Sequence, residues 1–247
     1  MVCLLTHLLS ATVNEGSIHP APKIRDFFSS ISRRYDLANH VLSGGCDFFW
    51  RRRAVAEIAQ INPTRILDLA TGSGDLALLL KKACPSSLVV GADFCFPMLQ
   101  VAKSKAVPAL VAADALKLPF IPQTFDAVTI AFGLRNMASW KTALAEISRV
   151  LRPDGMLLVL DFSQPKGLFG KIYRTYLHNV LPIVARVVTG NRSAYDYLGD
   201  SIEKFPQDEA MLQVFTEAGY TSVKQSRLTG GIVTIYTGKS ANGNAES

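Results

Sequence analysis

The sequence predicts an α/β protein whose open, mostly parallel seven-stranded sheet ends in an antiparallel hairpin. Three observations carry that expectation. Residues 66–75 (I-L-D-L-A-T-G-S-G-D) read as a buried strand that runs through a glycine turn directly into a helix. From Asn62-Pro63 to Phe162, apolar runs of strand length alternate with helical patterns, as successive βα units require. Near the end, two β-type runs at 222–228 and 231–236 are separated by so little chain at Thr229-Gly230 that they must pair as a hairpin.

Taken in order, residues 1–21 contain two prolines and little periodicity and read as a flexible arm. Their apolar start lacks the basic residues and small-residue cleavage site of a signal peptide. Ile24, Phe27, Phe28, Ile31 and Tyr35 then share one face of an amphipathic helix. After Ser43-Gly44-Gly45, a second helix is expected over 47–60, carrying Trp50 and the basic run Arg51-Arg52-Arg53, whose plainest reading is a solvated face. Strands are expected at 65–70, 87–94, 109–113, 125–132 and 156–162, with helices at 75–83, 98–106 and 139–151 between them. Arg152-Pro153-Asp154-Gly155 reads as the stop of the last of these helices. The alternation breaks at Ser163. Residues 166–205 place Leu168, Phe169, Ile172, Tyr173, Tyr176, Leu177, Val180 and Leu181 in helical register, a helical insertion suited to lie as a lid over an apolar substrate. A helix over 207–218, ended by Gly219, precedes the hairpin, and the tail 240–247 reads as disordered. Residues 22–239 thus form one domain.

Composition narrows the function classes. The 247 residues are 49% hydrophobic, enough for one sizeable core. A net charge of +6 permits contact with an anionic surface without requiring it. No apolar run reaches the roughly 20 residues of a membrane span. Cys3, Cys46, Cys84 and Cys95 form neither a CxxC pair nor a metal-ligand spacing, so no metal is expected, and ordinary thiols fit a reducing cytoplasm.

The glycine turn is the natural ligand site, because Gly72 and Gly74 allow a tight bend and close backbone approach. It lacks the Lys of a P-loop. Asp75 stands where a dinucleotide fingerprint would meet a pyrophosphate, and a carboxylate there favours a ligand with positive charge and no phosphate, as in S-adenosylmethionine. Asp93, ending the second strand, suits the ribose hydroxyls, and Asp114, ending the third, suits an adenine amino group. Either aspartate singly is also explained as a turn cap. Asp68, Thr71 and Met98 join the expected cofactor set.

Six segments give the chain its resemblance to the quinone C-methyltransferases: Y-D-L-A-N-H-V-L-S-G-G at 35–45, D-L-A-T-G-S-G-D at 68–75, F-G-L-R-N at 132–136, R-V-L-R-P-D-G at 149–155, Y-L-G-D-S-I-E-K-F-P at 197–206 and L-T-G-G-I-V at 228–233. The glycine turn is generic to class I methyltransferases, whereas F-G-L-R-N and Y-L-x-x-S-I-x-x-F-P belong to this family. The resemblance implies a Rossmann-like fold, S-adenosylmethionine as cofactor, and C-methylation of a prenylated quinol, chiefly demethylmenaquinol to menaquinol. It implies cofactor contacts at Ser73, Asp93, Asp114, Ala115 and position 131. The chain departs from the pattern at Ala131 for Ser, Asp154 for Gly, Asp161 for Glu, Tyr236 for His and Cys95 for Ser. Matching the family motif, Arg135 is expected to stabilise the quinol oxyanion or help a water act as base, with Asn136 and Tyr35 orienting the ring. His40 and His178 are alternative bases on chemical grounds. A prenyl tail implies peripheral contact at the inner face of a membrane. A homodimer is admissible, and nucleic acid is not an expected partner. Methylation of RNA or another small molecule, and a non-catalytic place in a quinone-synthesis complex, are the competing readings.

Overall fold

The structure, a computed structural model, describes residues 43–176, 179 and 201–241. The expected arm, the first amphipathic helix with Tyr35, His40, the part of the insertion with Leu177, His178 and Val180, and the final residues of the tail lie outside the described residues.

The described chain runs α1 (Cys46–Ala59), β1 (Arg65–Leu69), α2 (Asp75–Ala83), β2 (Leu88–Asp93), α3 (Phe96–Ser104), β3 (Ala109–Ala112), β4 (Phe125–Ala131), α4 (Trp140–Val150), β5 (Leu151–Phe162), α5 (Gly167–Thr175), α6 (Glu209–Glu217), β6 (Tyr220–Leu228) and β7 (Val233–Ser240). A short 3-10 turn, Leu134–Asn136, follows β4, and another, Thr229–Gly231, joins β6 to β7. The strands form one sheet in the order β3-β2-β1-β4-β5-β7-β6. Neighbours from β3 to β5 pair in parallel, and β7 is antiparallel to both β5 and β6. The expected hairpin therefore does not hang on the edge: its second arm inserts beside β5 and leaves β6 outermost. The burial of the strands explains that choice. In β7 every residue except Lys239 is buried, as a central strand covered on both faces must be, whereas β6 exposes Thr221, Ser222, Lys224 and Arg227, the polar dress of an edge.

One apolar layer packs on each side of the sheet. Leu67, Leu69, Val128, Ile130, Leu157 and Val159 turn to α4 and α6, while Ile66, Val89, Ala127, Leu158 and Leu160 turn to α1, α2 and Val107. The alternation along β1, β4 and β5 is the period-2 pattern read in two directions at once, which is why these runs look continuously apolar in sequence. Each fully buried Leu, Ile or Val contributes about 1.5–3 kcal/mol. α4 is capped by Ser139, whose Oγ accepts a hydrogen bond from the Thr142 amide at 3.2 Å.

One expected boundary is corrected. β5 begins at Leu151, five residues before the expected start, and no loop separates it from α4. Leu151 pairs with Phe125 and Met156 with Ala127, so Arg152-Pro153-Asp154-Gly155 is a bulge inside the strand as well as the helix stop. Asp154 takes φ 60° there, the left-handed conformation for which glycine is the default. The basic run is also split: Arg51 is buried, and only Arg52 and Arg53 form a solvated face.

Candidate functional site

The strand order reverses direction between β1 and β4, and a cleft open to solvent lies there at the carboxyl ends of the parallel strands. Four successive βα joins line it. They contribute Leu69, Ala70 and Gly72 after β1, Asp93 and Phe94 after β2, Asp114 to Leu116 after β3, and Ala131, Phe132 and Asn136 after β4, with Met98 from α3. Of the expected set, Gly72, Asp93, Met98, Asp114, Ala115, Ala131 and Asn136 are thus brought together. Phe94, Leu116 and Met137 were not foreseen; the signal for Phe94 was an aromatic directly after a strand-end carboxylate.

Asp93 does two things at once. Its Oδ2 accepts from the Gly72 amide at 2.8 Å and its Oδ1 from the Cys95 amide at 2.8 Å, so one buried carboxylate clasps the turn after β1 to the turn after β2. Burial raises its pKa, and those backbone donors pull it back. Asp114 accepts from the Leu116 amide at 2.9 Å, so the turn-cap reading and the cavity-lining reading hold together at this residue.

The remaining residues of the turn stand behind or beside the cavity rather than in its lining. Asp68 is buried, accepting from Thr71 Oγ1 at 2.6 Å and from Thr129 Oγ1 at 2.8 Å. Burial pushes its carboxyl up to about 6. Ser73 is buried too. Gly74 takes φ 85° as the N-cap of α2, and a Cβ there would lie 2.4 Å from Val107 Cγ2. Its lack of a side chain therefore serves helix packing, not ligand approach. Asp75 stands outside the cavity lining, and its carboxylate pairs with Lys105 Nζ at 2.6 Å, at the end of α3. A cation thirty residues away neutralises the charge that had been assigned to the ligand.

Arg135 sits in the 3-10 turn beyond β4, also behind the lining, and is 7% exposed. Its Nη1 donates to Asp161 Oδ1 and to the Phe132 carbonyl, both at 2.6 Å, and its guanidinium carbon lies 5.2 Å from the centroid of the Phe162 ring. This ion pair anchors the loop after β4. One group is left over: Arg135 Nε is buried with no hydrogen-bond partner. The aromatic wall behind the loop is Phe132, Phe162 and Trp50, with centroids 4.7–6.2 Å apart, and Trp50 Nε1 donates to Thr229 Oγ1 at 2.7 Å. Arg51 lies over Phe132 at 5.5 Å and pairs with Asp47.

The chemistry of the cavity tests the expected cofactor. Its lining offers two carboxylates, flat apolar surface from Phe94, Met98 and Leu116, and a glycine whose Cβ would stand 3.4 Å from Met98 Cε; among the described residues no lysine, arginine or histidine lines it. That suits a nucleoside with hydroxyls and a cationic group and does not suit a phosphate.

A parallel sheet with one reversed strand inserted beside β5, and an acid-lined cleft without cations at the switch point, define a class I, S-adenosylmethionine-dependent methyltransferase. A model of the ubiE/COQ5 methyltransferase family matches residues 17–240. The chain belongs to that family. It is 51% identical over 217 residues to the demethylmenaquinone methyltransferase of Thermus thermophilus, spanning 85% of this chain and 98% of that protein. It is 44% identical over 225 residues to the ubiquinone/menaquinone biosynthesis C-methyltransferase UbiE of Syntrophotalea carbinolica, covering 89% and 94%. Among solved structures, a SAM-dependent methyltransferase of Thermotoga maritima superposes with a TM-score of 0.63 at 17% identity, covering 88% of this chain and 99% of that one, a likeness of fold alone.

Proposed function

We propose that this protein transfers a methyl group from S-adenosylmethionine to a ring carbon of a prenylated quinol, converting demethylmenaquinol to menaquinol, with a ubiquinone precursor as a second acceptor. The observation that carries this reading is the 51% identity to a demethylmenaquinone methyltransferase over 98% of that relative's length.

The cofactor, when bound, supplies an electrophilic methyl group on a sulfonium sulfur. The protein's own residues then have four tasks. Asp93 accepts from ribose hydroxyls with the lone pairs its two backbone bonds leave over, and Asp114 accepts from the adenine amino group. Phe94, Met98 and Leu116 exclude water from the adenine faces, while Asp68, Thr71, Ser73 and Gly74 hold the turn from behind. Ala131, without a hydroxyl, contributes only van der Waals contact. Arg135 holds the negative charge on the ring oxygen once the quinol has lost a proton, and Asn136 and Tyr35 orient the ring. Incubating the protein with labelled S-adenosylmethionine and reduced demethylmenaquinone tests the reading. A labelled product heavier by one methylene is expected, and an unlabelled quinone pool after many enzyme equivalents of time overturns it.

The prenyl tail puts the encounter with substrate at a membrane surface on the cytoplasmic side. No helix among the described residues is long and apolar enough to cross a membrane. Peripheral docking is supported by exposed Phe48 and Phe49 with Arg52 and Arg53 on α1, and by exposed Leu168, Phe169 and Ile172 with Lys171 and Arg174 on α5. Sedimentation with anionic liposomes, weakened by salt and absent with neutral liposomes, is the expected result. Protein that stays in the supernatant with both kinds overturns the docking.

A further inference from the structure

On the β4 side of the cleft the lining contains one residue under unusual constraint. Phe132 takes φ 58°, a left-handed backbone that is an outlier for a bulky side chain. Its amide donates to the Leu160 carbonyl at 2.7 Å, and its own carbonyl accepts from Arg135 Nη1 at 2.6 Å and from Asn136 Nδ2 at 3.4 Å. The next residue, Gly133, runs so close to the turn after β1 that a Cβ there would lie 2.6 Å from that of Ala70. Such a conformation persists only where its surroundings enforce it, and it gathers at sites that use it. The ring is fixed as firmly as the backbone. Its centroid lies 4.7 Å from that of Phe162 and 6.1 Å from that of Trp50. Arg51 reaches over the Phe132 ring at 5.5 Å, and Arg135 over the Phe162 ring at 5.2 Å. Each ring of the pair therefore carries a guanidinium, and each guanidinium is paired with a buried aspartate, Asp47 or Asp161. Cations are costly to bury, so two of them set on one aromatic pair go well beyond what filling a core requires. The cleft is thus two-sided in its chemistry. Asp93 and Asp114 stand at the ends of β2 and β3, and across the β1 turn stand an aromatic ring, Phe132, and a carboxamide, Asn136.

We propose that Phe132 is the residue against which the acceptor ring packs, that it selects flat aromatic acceptors, and that Arg51 is a positioning residue acting through it. The inference rests on the methylation reading and names the wall that holds its substrate. Two aromatic rings in offset or edge-to-face contact attract beyond the area they bury, because the electron-rich face of one meets the electropositive edge of the other. A saturated ring of the same outline is thicker and lacks that charge distribution. A wall whose backbone is held by Arg135 and Asn136, and whose ring is held by Arg51 and Phe162, gives the acceptor one plane to lie in. Methyl transfer to a chosen ring carbon needs such a fixed plane. The burial of Arg51 on α1 follows from the same role, since its cation sits on the ring that meets the substrate.

Phe132→Leu keeps an apolar side chain and removes the ring. It is expected to raise KM for demethylmenaquinol about tenfold, the scale of one aromatic pair, with the S-adenosylmethionine dissociation constant changed by less than about twofold. An unchanged KM overturns the proposal, and so does an equal loss of cofactor affinity, which marks a collapsed loop. Selectivity gives a readout that a merely structural role would not move. With S-adenosylhomocysteine present, 1-naphthol and its saturated counterpart 1-decalol are titrated calorimetrically. The ratio of their affinities, naphthol over decalol, is expected to fall about fivefold in Phe132→Leu. It should fall by less in Arg51→Met combined with Asp47→Asn, where no carboxylate is left unpaired, and Arg51→Lys, which keeps a cation, should lie nearer the wild type. A ratio unchanged in Phe132→Leu overturns the wall, and one unchanged in the double variant overturns the role of Arg51. The wild type supplies a test that depends on no variant: nuclear Overhauser contacts between bound 1-naphthol and the Phe132 ring are expected, and their absence with the ligand bound overturns the proposal. A protein that shows those contacts yet methylates no quinol keeps the wall and sinks the reaction. Quinol methylation without them keeps the reaction and sinks the wall.

Discussion

Arg135→Ala is expected to lower turnover with demethylmenaquinol by about 10²–10³-fold and to destabilise the fold by about 3–5 kcal/mol. The two losses have separate physical origins. Asp161 is fully buried, and with Arg135 gone its Oδ1 keeps only the Phe162 amide at 2.9 Å as a donor, so a charge is left stranded in the core. That accounts for stability. The loss in rate is the consequence of the oxyanion role proposed for Arg135. The double variant Arg135→Met with Asp161→Leu separates them, because replacing both partners of a buried ion pair by apolar groups of similar size is often neutral. Denaturant unfolding should show stability recovered, while turnover stays down. A double variant as active as wild type would mean that Arg135 only anchors the loop after β4.

Asp93→Ala is expected to weaken S-adenosylmethionine binding by about 10²–10⁴-fold, the equivalent of two charge-assisted hydrogen bonds. The carboxylate is the single group that ties the Gly72 amide to the Cys95 amide, and without it two adjacent cavity walls lose their common clasp. The lost ribose contacts add to that disorder. Calorimetric titration with the cofactor measures the change, and kcat at saturating cofactor should fall much less, since Asp93 stands apart from the methyl-transfer geometry. An unchanged dissociation constant would reduce Asp93 to a loop clasp. Asp93→Asn refines the result: an amide offers one acceptor oxygen, so only one of the two backbone bonds can be kept.

The family sits on a fold shared by many chemistries, and the reading of function rests on the site and on close relatives rather than on the sheet. This division also governs what was legible in advance. The βα alternation, the strand-end carboxylates Asp93 and Asp114 and the hairpin at Thr229 are local features. Each is set by residues a few positions apart, through period-2 and period-3.6 patterning, turn chemistry and capping. The cavity floor formed where those patterns placed it, at the ends of the parallel strands.

What spacing alone could not show has one common source. Lys105, the partner of Asp75, lies thirty residues on; Phe132, which Arg51 covers, comes much later in the chain; and Asp161, the partner of Arg135, is twenty-six residues away. Charge in a sequence has no partner until the fold supplies one.

By itself, then, the sequence determined the α/β class, the place of the nucleoside cleft and the family, because local pattern and short motifs decide these. Only the tertiary structure decided that β7 enters beside β5, that Gly74 serves packing, that Asp75 pairs with Lys105, and that Arg135 Nε stays buried without a partner. Those outcomes depend on contacts between distant segments, where burial, not spacing along the chain, sets which polar groups must pair and which are left for a substrate.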